Sequence, residues 1–205
     1  MSATRTRKPT EVRRREIAEA VLRVIGQQGA SSITAATIAA EVGITPGALY
    51  RHFTSLDDML EAAVERAVEQ VAATFPDPGC APFDRLMAIA AARIDLFARN
   101  GGIAWLLLSD QVYLTLPERA LEHLGLLVRR SRKFLLEAIR AGARDGTIRC
   151  DVAPEVLLVL FSGTVHAIVG TAGVHRRGQQ PTPARVLAAL RLLLSPMSPT
   201  TRKTP

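Results

Sequence analysis

A glycine at position 43, with helix-start signals on both sides of it, constrains this chain more than any other feature. Thr34 is an N-cap candidate for a short helix that carries Ile38, Ala39 and Val42 on one side. Gly43 ends that helix, because glycine enters the left-handed conformation without a steric penalty. Thr45 then caps a third helix, with Pro46 at its first position, where no amide donor is needed, and Leu49 and Phe53 four apart to point inward. Upstream, Ile17, Val21, Val24 and Ile25 form an apolar stripe at helical period along a first helix from Thr10 to Gln28, stopped by Gly29. This is the order of a helix-turn-helix, whose last helix enters a DNA groove.

Beyond Ser55 every segment keeps the helical period, and neither strand-like alternation nor an internal repeat interrupts it. A fourth helix runs from Ser55 toward Phe75, before the breakers Pro76 to Gly79. Leu86, Ile89, Ala90, Arg93 and Phe97 outline a fifth, stopped by Asn100, Gly101 and Gly102. Ile103 to Tyr113 is a short apolar helix. Pro117 opens a long one, striped by Leu121, Leu124, Val128, Leu135 and Ile139, that lasts to the Asp145-Gly146 turn. Asp151 to Pro154 begins an uncharged helix, and Pro183 opens the last one, through Leu194. The expected fold class is all-α with about nine helices. Its expected parts are a mobile basic arm at 1–9, the helix-turn-helix domain at 10–54, a C-terminal helical bundle at 55–195 and a mobile tail at 196–205.

Composition narrows the function. At 48% hydrophobic and 22% charged, the 205 residues can bury a core, so wholesale disorder is excluded. Cys80 and Cys150 show no metal-ligand spacing, which excludes disulfide scaffolds and zinc ribbons. Net charge is +7, and residues 1–53 hold eight basic against four acidic side chains, an excess that favours a polyanionic partner. No apolar segment follows the basic start, so a cytoplasmic location is expected. Val156 to Val174 carries no formal charge, yet Ser162, Gly163, Thr164, His166, Gly170, Thr171 and Gly173 interrupt it; burial in protein or in a subunit interface is expected rather than a membrane. Histidines 52, 123, 166 and 175 form no catalytic or metal spacing, so neither an enzyme nor a cofactor is expected.

The pattern Thr34, Ile38-Ala39, Val42-Gly43-Ile44, Gly47, Leu49-Tyr50, His52-Phe53, Ser55 and Leu60 resembles the signature of the TetR family of bacterial transcriptional regulators. The likeness covers roughly residues 10–65; the remainder agrees only in helix count and length. Two positions depart from it: Pro46 stands where many relatives carry Lys or Arg, and Leu56 where a Lys commonly opens the fourth helix.

A recognition helix of about seven residues is roughly 10 Å long, enough to place one face in a major groove about 12 Å wide. Pro46, Gly47 and Ala48 are small enough for close approach, and Ala48 or the Thr45 methyl is available to a thymine methyl. Arg51 suits a bidentate guanine contact or, equally, a phosphate. The resemblance implies that Tyr50 and His52 bind phosphates, as would Thr34 or Thr37, with Ala36 between them; a Tyr50 ring packed on the core is the alternative. Arg13, Arg14 and Arg15, with Arg5, Arg7 and Lys8, are candidates to track phosphates or enter the minor groove, or else form a solvated tail.

One such domain reads a half-site, so a homodimer on a palindromic stretch of double-stranded DNA is expected. Leu158, Phe161, Gly163, Ala167 and Gly170 on the uncharged helix, with Val186, Leu190 and Leu193 on the last, are the interface candidates; burial within one subunit is the alternative. The resemblance implies a four-helix interface of this kind. It also implies a regulatory pocket in the middle helices, for which Phe97, Trp105, Tyr113, His123, Phe134 and His166 are candidates, with plain core as the alternative. The expected function is a repressor released from its operator by a small, largely apolar effector. A ligand-independent regulator or an activator is the alternative.

Overall fold

The computed structural model describes residues 9–170 and 182–196. The expected basic arm before Pro9, the end of the uncharged stretch from Thr171 with His175, and the tail beyond Pro196 lie outside the described residues. The helices are α1 (Thr10–Gln28), α2 (Ala35–Val42), α3 (Pro46–Leu49), α4 (Leu56–Ala72), α5 (Pro82–Arg99), α6 (Gly101–Leu108), α7 (Val112–Thr115), α8 (Glu118–Asp145), α9 (Pro154–Gly170) and α10 (Pro183–Leu194), with one 3-10 turn at Ala30–Ser32. Among the described residues the fold is all-α, with ten α-helices and no strand.

The additional helix arises where one apolar run from Ile103 to Tyr113 was expected. Ser109 is extended, and its hydroxyl accepts the Gln111 amide, a local bond that competes with the helix ladder. α7 starts again after it. The glycines at 101 and 102 do not merely stop α5. Asn100 accepts the Ile103 amide through its side chain and so caps α6, which the glycines open.

By internal packing the chain forms two compact units. The first spans residues up to 73 together with 97–127. At its centre α1 packs against α2, α4 and α6, and it therefore buries Ala18, Ala20 and Leu22 in addition to the expected stripe. Each fully buried Leu or Ile there contributes roughly 1.5–3 kcal/mol relative to an exposed one. The contact with α6 is unusually close. A Cβ on Gly102 would lie 2.0 Å from the Leu22 carbonyl oxygen, and one on Gly26 would lie 2.6 Å from the Gly102 nitrogen, so the two main chains meet with no side chain between them.

The second unit holds residues 74–96 and those from 128 onward. Its core gathers Leu86, Ile89 and Ile94 of α5, Leu135 and Ile139 of α8, Leu157, Phe161 and Val165 of α9, and Leu190 and Leu194 of α10. The Arg149 amide donates to the Leu194 carbonyl at 2.9 Å and ties down the end of α10. On α8, Val128 departs from the expected stripe: it is exposed, and Leu127 is buried instead. No helix among the described residues is long and apolar enough to cross a membrane.

Candidate nucleic-acid interface

The helix-turn-helix is built by local hydrogen bonds that its sequence announces. Thr34 accepts the Thr37 amide at 3.1 Å while the Thr37 hydroxyl accepts the Thr34 amide at 3.0 Å, a reciprocal box that starts α2. The Thr37 hydroxyl donates inward, to the Ser32 carbonyl at 2.6 Å, which leaves Thr34 as the exposed hydroxyl of the pair. Gly43 is left-handed at φ 71°, and the Ile44 amide returns to the Ala39 carbonyl at 2.9 Å, closing the helix end.

Thr45 occupies the N-cap of α3 but makes no side-chain capping bond, contrary to its expected role. The recognition helix is also shorter than the expected seven residues: regular helix covers Pro46–Leu49, after which Tyr50 sits at ψ 0° and the chain unwinds into turns. The coil still continues, because the amides of His52 and Phe53 both donate to the Leu49 carbonyl.

This geometry sorts the side chains. Leu49 and Phe53 are buried and anchor the segment. Thr45, Pro46, Gly47, Tyr50 and Arg51 are exposed, as are Thr34 and Ala36 on α2, while Ala48 and His52 are half-buried. A Cβ at Gly47 would meet nothing within 4 Å, so this edge is sterically open. Tyr50 is 51% exposed, which excludes the alternative of a ring packed in the domain core. The His52 Nδ1 is buried without a hydrogen-bond partner among the described residues, and its carbonyl accepts from Arg14.

The basic residues divide by partner. Arg13 pairs with Glu16 at 2.9 Å, Arg15 with Glu19 at 3.9 Å and Arg23 with Glu41 at 2.6 Å. Arg14 is committed to the protein. It donates to the His52 carbonyl, pairs with Asp58 at 3.2 Å and lies 4.1 Å from the centre of the Phe53 ring. Desolvation alone would raise the Asp58 pKa, but the Thr54 amide and the Arg14 guanidinium outweigh it and hold the carboxyl below its ordinary value. Among the described residues up to Phe53, Arg51 is the arginine without a carboxylate partner, and it is exposed at the end of the recognition segment. Sequence reading offered no signal for the task of Arg14, because Asp58 lies 44 residues away.

The family model described as bacterial regulatory proteins of the tetR family matches residues 17–63, which run from the buried half of α1 into α4. Over these residues the chain matches the TetR family. It is 30% identical over 135 residues to the HTH-type transcriptional regulator BetI of Rhizobium meliloti (strain 1021), covering 63% of this chain and 66% of that protein. It is 31% identical over 100 residues to BetI of Brucella suis biovar 1 (strain 1330), covering 46% and 50%. The chain thus spans between half and two-thirds of the length of these relatives. In fold it is similar to the ketosteroid transcriptional regulator KstR2 of Mycobacterium tuberculosis, with a TM-score of 0.73, 19% identity and coverage of 89% and 95%. It is likewise similar to AibR in complex with isovaleryl coenzyme A and operator DNA, with a TM-score of 0.73, 24% identity and coverage of 89% and 98%.

The remaining candidates fall into three groups. In the first unit Phe97 is buried, Trp105 and His123 are half-buried, the latter 4.0 Å from Glu65, and Tyr113 is 73% exposed on α7. In the second unit Phe134 is half-buried against the Phe75 ring, and His166 is an exposed residue whose imidazole is held below its ordinary pKa by partial desolvation and by the Arg93 charge. Of the interface candidates, Leu158, Phe161 and Leu190 are covered by the core of their own unit, and Val186 is half-buried. Gly163, Ala167 and Leu193 are open, whereas for Gly170 only its place at the end of α9 is described. The open apolar residues that sequence reading passed over are Val156, Val159 and Leu160 on α9 and Leu192 on α10.

Proposed function

We propose that this chain is a sequence-specific, double-stranded DNA-binding repressor of transcription, acting in the cytoplasm as a homodimer on a palindromic operator and released by a small, largely apolar effector. The observation that carries the reading is Arg51: an exposed guanidinium with no carboxylate partner among the described residues, next to exposed Tyr50 and behind the small edge of Pro46 and Gly47. Such a group suits a guanine edge or a phosphate, and the buried Leu49 and Phe53 fix its position. Thr34 and Ala36 at the start of α2 and the imidazole of His52 flank it as phosphate contacts.

Dimerisation is supported by the outward face of the second unit. Val156, Val159, Leu160, Gly163 and Ala167 follow one another at offsets 0, 3, 4, 7 and 11, a continuous helical stripe, and Leu192 and Leu193 add apolar surface on α10. Residues 10–54 serve DNA in this reading, and 55–195 serve pairing and the effector. A fold neighbour solved with isovaleryl coenzyme A and operator DNA supports an effector of organic character.

Selection of bound duplexes from a random pool tests the proposal. The expected product is a palindrome whose half-sites lie roughly 34–36 Å or somewhat more apart. Binding without sequence preference, or a site lacking two-fold symmetry, overturns it.

A further inference from the structure

Arg93 sits on α5 between the core residues Ala90 and Ile94 and is half-buried. Desolvation lowers its pKa to about 10, so the group stays charged at neutral pH. Its neighbours satisfy donors without balancing that charge. Nη2 donates to the Ser131 hydroxyl at 2.8 Å, Nε donates to the Thr74 hydroxyl at 3.4 Å, and the guanidinium lies 5.2 Å from the centre of the Phe75 ring. Arg140 and Arg149 of the same unit, by contrast, have carboxylates, Glu155 and Asp151, both at 2.6 Å. None of the described carboxylates pairs with Arg93. His166 cannot neutralise it, because an imidazole carries no negative charge; desolvation and the Arg93 charge hold its pKa below the ordinary value. Burying an ion without its partner is unfavourable, so this interior is arranged for an anion that the described residues do not supply.

Phe75 also faces an apolar groove. With Pro76, Pro78 and Phe134 it lines a space of about 290 Å³, close to the lower end of small-ligand sites. The Phe75 and Phe134 rings meet edge to face at 5.0 Å. Arg130, Lys133 and Glu137 complete the lining, the last two 4.0 Å apart, which leaves one cation in excess. One guanidinium with two hydroxyls matches a monoanion rather than a doubly charged phosphate, and its planar fork matches a carboxylate.

We propose that Arg93 anchors a small carboxylate with an apolar body, its carboxylate paired to the guanidinium beside Ser131 and its body lying against Phe75 and Phe134. The site rests on the effector reading above and gives it a ligand class. Ligand binding is measured on the full chain by thermal melting and calorimetry with sodium octanoate and sodium benzoate, against octanol and benzamide as neutral counterparts. The acids are expected to raise the Tm by roughly 5 °C or more at about a hundredfold excess over Kd, and the neutral molecules to leave it unchanged. Arg93→Met is expected to lose at least about tenfold in affinity while melting, without acid, at or above the wild-type temperature, because it removes a buried unpaired charge. Arg144→Gln, an exposed charge at the end of α8 that does not line the groove, should keep affinity within about threefold. The proposal is overturned if neither acid shifts the wild type, if the neutral molecules shift it equally, if Arg93→Met still responds, if Arg93→Met melts below the wild type without acid, or if Arg144→Gln abolishes binding. Selected-duplex binding without acid, measured on the same preparations, reports on the DNA reading separately.

Discussion

Arg14 spans the helix-turn-helix from α1 by lying flat against Phe53, with its guanidinium 4.1 Å from the ring centre and its hydrogen bonds spent on the His52 carbonyl and on Asp58. Those contacts fix the end of the recognition segment immediately after Arg51. Arg14→Ala is therefore expected to destabilise the protein by about 1–3 kcal/mol through the lost charged hydrogen bonds and cation–π contact. Urea denaturation measures the first effect. Salt titration of DNA binding should show an unchanged slope for this variant, because Arg14 is engaged within the protein; a slope flatter by about 0.9 would instead mark a phosphate contact.

Arg51→Ala should weaken operator binding by roughly tenfold or more without changing the melting temperature. A loss concentrated at one base pair identifies a guanine contact, and a uniform loss with a flatter salt dependence identifies a phosphate. Equal affinity of variant and wild type for the selected duplex would remove Arg51 from the interface.

Gly47 and Gly102 should respond in opposite ways to alanine. Nothing lies within 4 Å of a Cβ at Gly47, so Gly47→Ala is expected to keep or slightly raise stability, by up to about 1 kcal/mol, while lowering DNA affinity through its place on the groove-facing edge. Gly102→Ala sets a methyl 2.0 Å from the Leu22 carbonyl oxygen and should cost about 1–3 kcal/mol or more. Thermal melting of the two variants side by side distinguishes them.

Asp58 gives a pH signature with a definite sign. Its folded pKa lies below the ordinary 3.8, so the stability it confers is fully present above that value and is lost as pH falls through the folded pKa. Asp58→Asn should be less stable than the wild type at pH 6, and the gap should shrink as the pH drops below about 4. Urea midpoints measured from pH 6 downward check this, and a constant gap would contradict it.

Val159→Lys and Leu192→Lys place a charge on the outward face of α9 and of α10, where the monomer leaves 65% and 76% of these side chains exposed. Either should convert the proposed dimer to a monomer in sedimentation and lower operator affinity, with little change in the helical content of the chain. A dimer that persists in both variants would move the interface elsewhere.

The parts of this fold that local chemistry dictates were legible in the sequence: the Thr34 cap, the Gly43 turn, the inward Leu49 and Phe53, the Asp145-Gly146 turn and the starts of α8 and α10. What escaped it depends on neighbours distant along the chain. The stripe on α1 understated its burial because three helices surround it. Gly101 and Gly102 looked like a stop, and only the approach of α1 shows why residues without side chains are required there. Arg14 looked like a third phosphate contact until Asp58 and Phe53 came within reach. On the uncharged helix, composition indicated an apolar surface, but only packing distinguishes Leu158 and Phe161, which face the core, from Val159 and Leu160, which face outward.

The bare seam between α1 and α6 has a mechanical meaning. Side chains between two helices act as a compliant layer, since a leucine can change rotamer and absorb a small displacement. Leu22, Gly26 and Gly102 leave no such layer, so a shift of α6 by even half an ångström toward α1 has nowhere to dissipate. At that joint the helix bearing Arg14, and with it the brace on the recognition segment, either travels with α6 or parts from it.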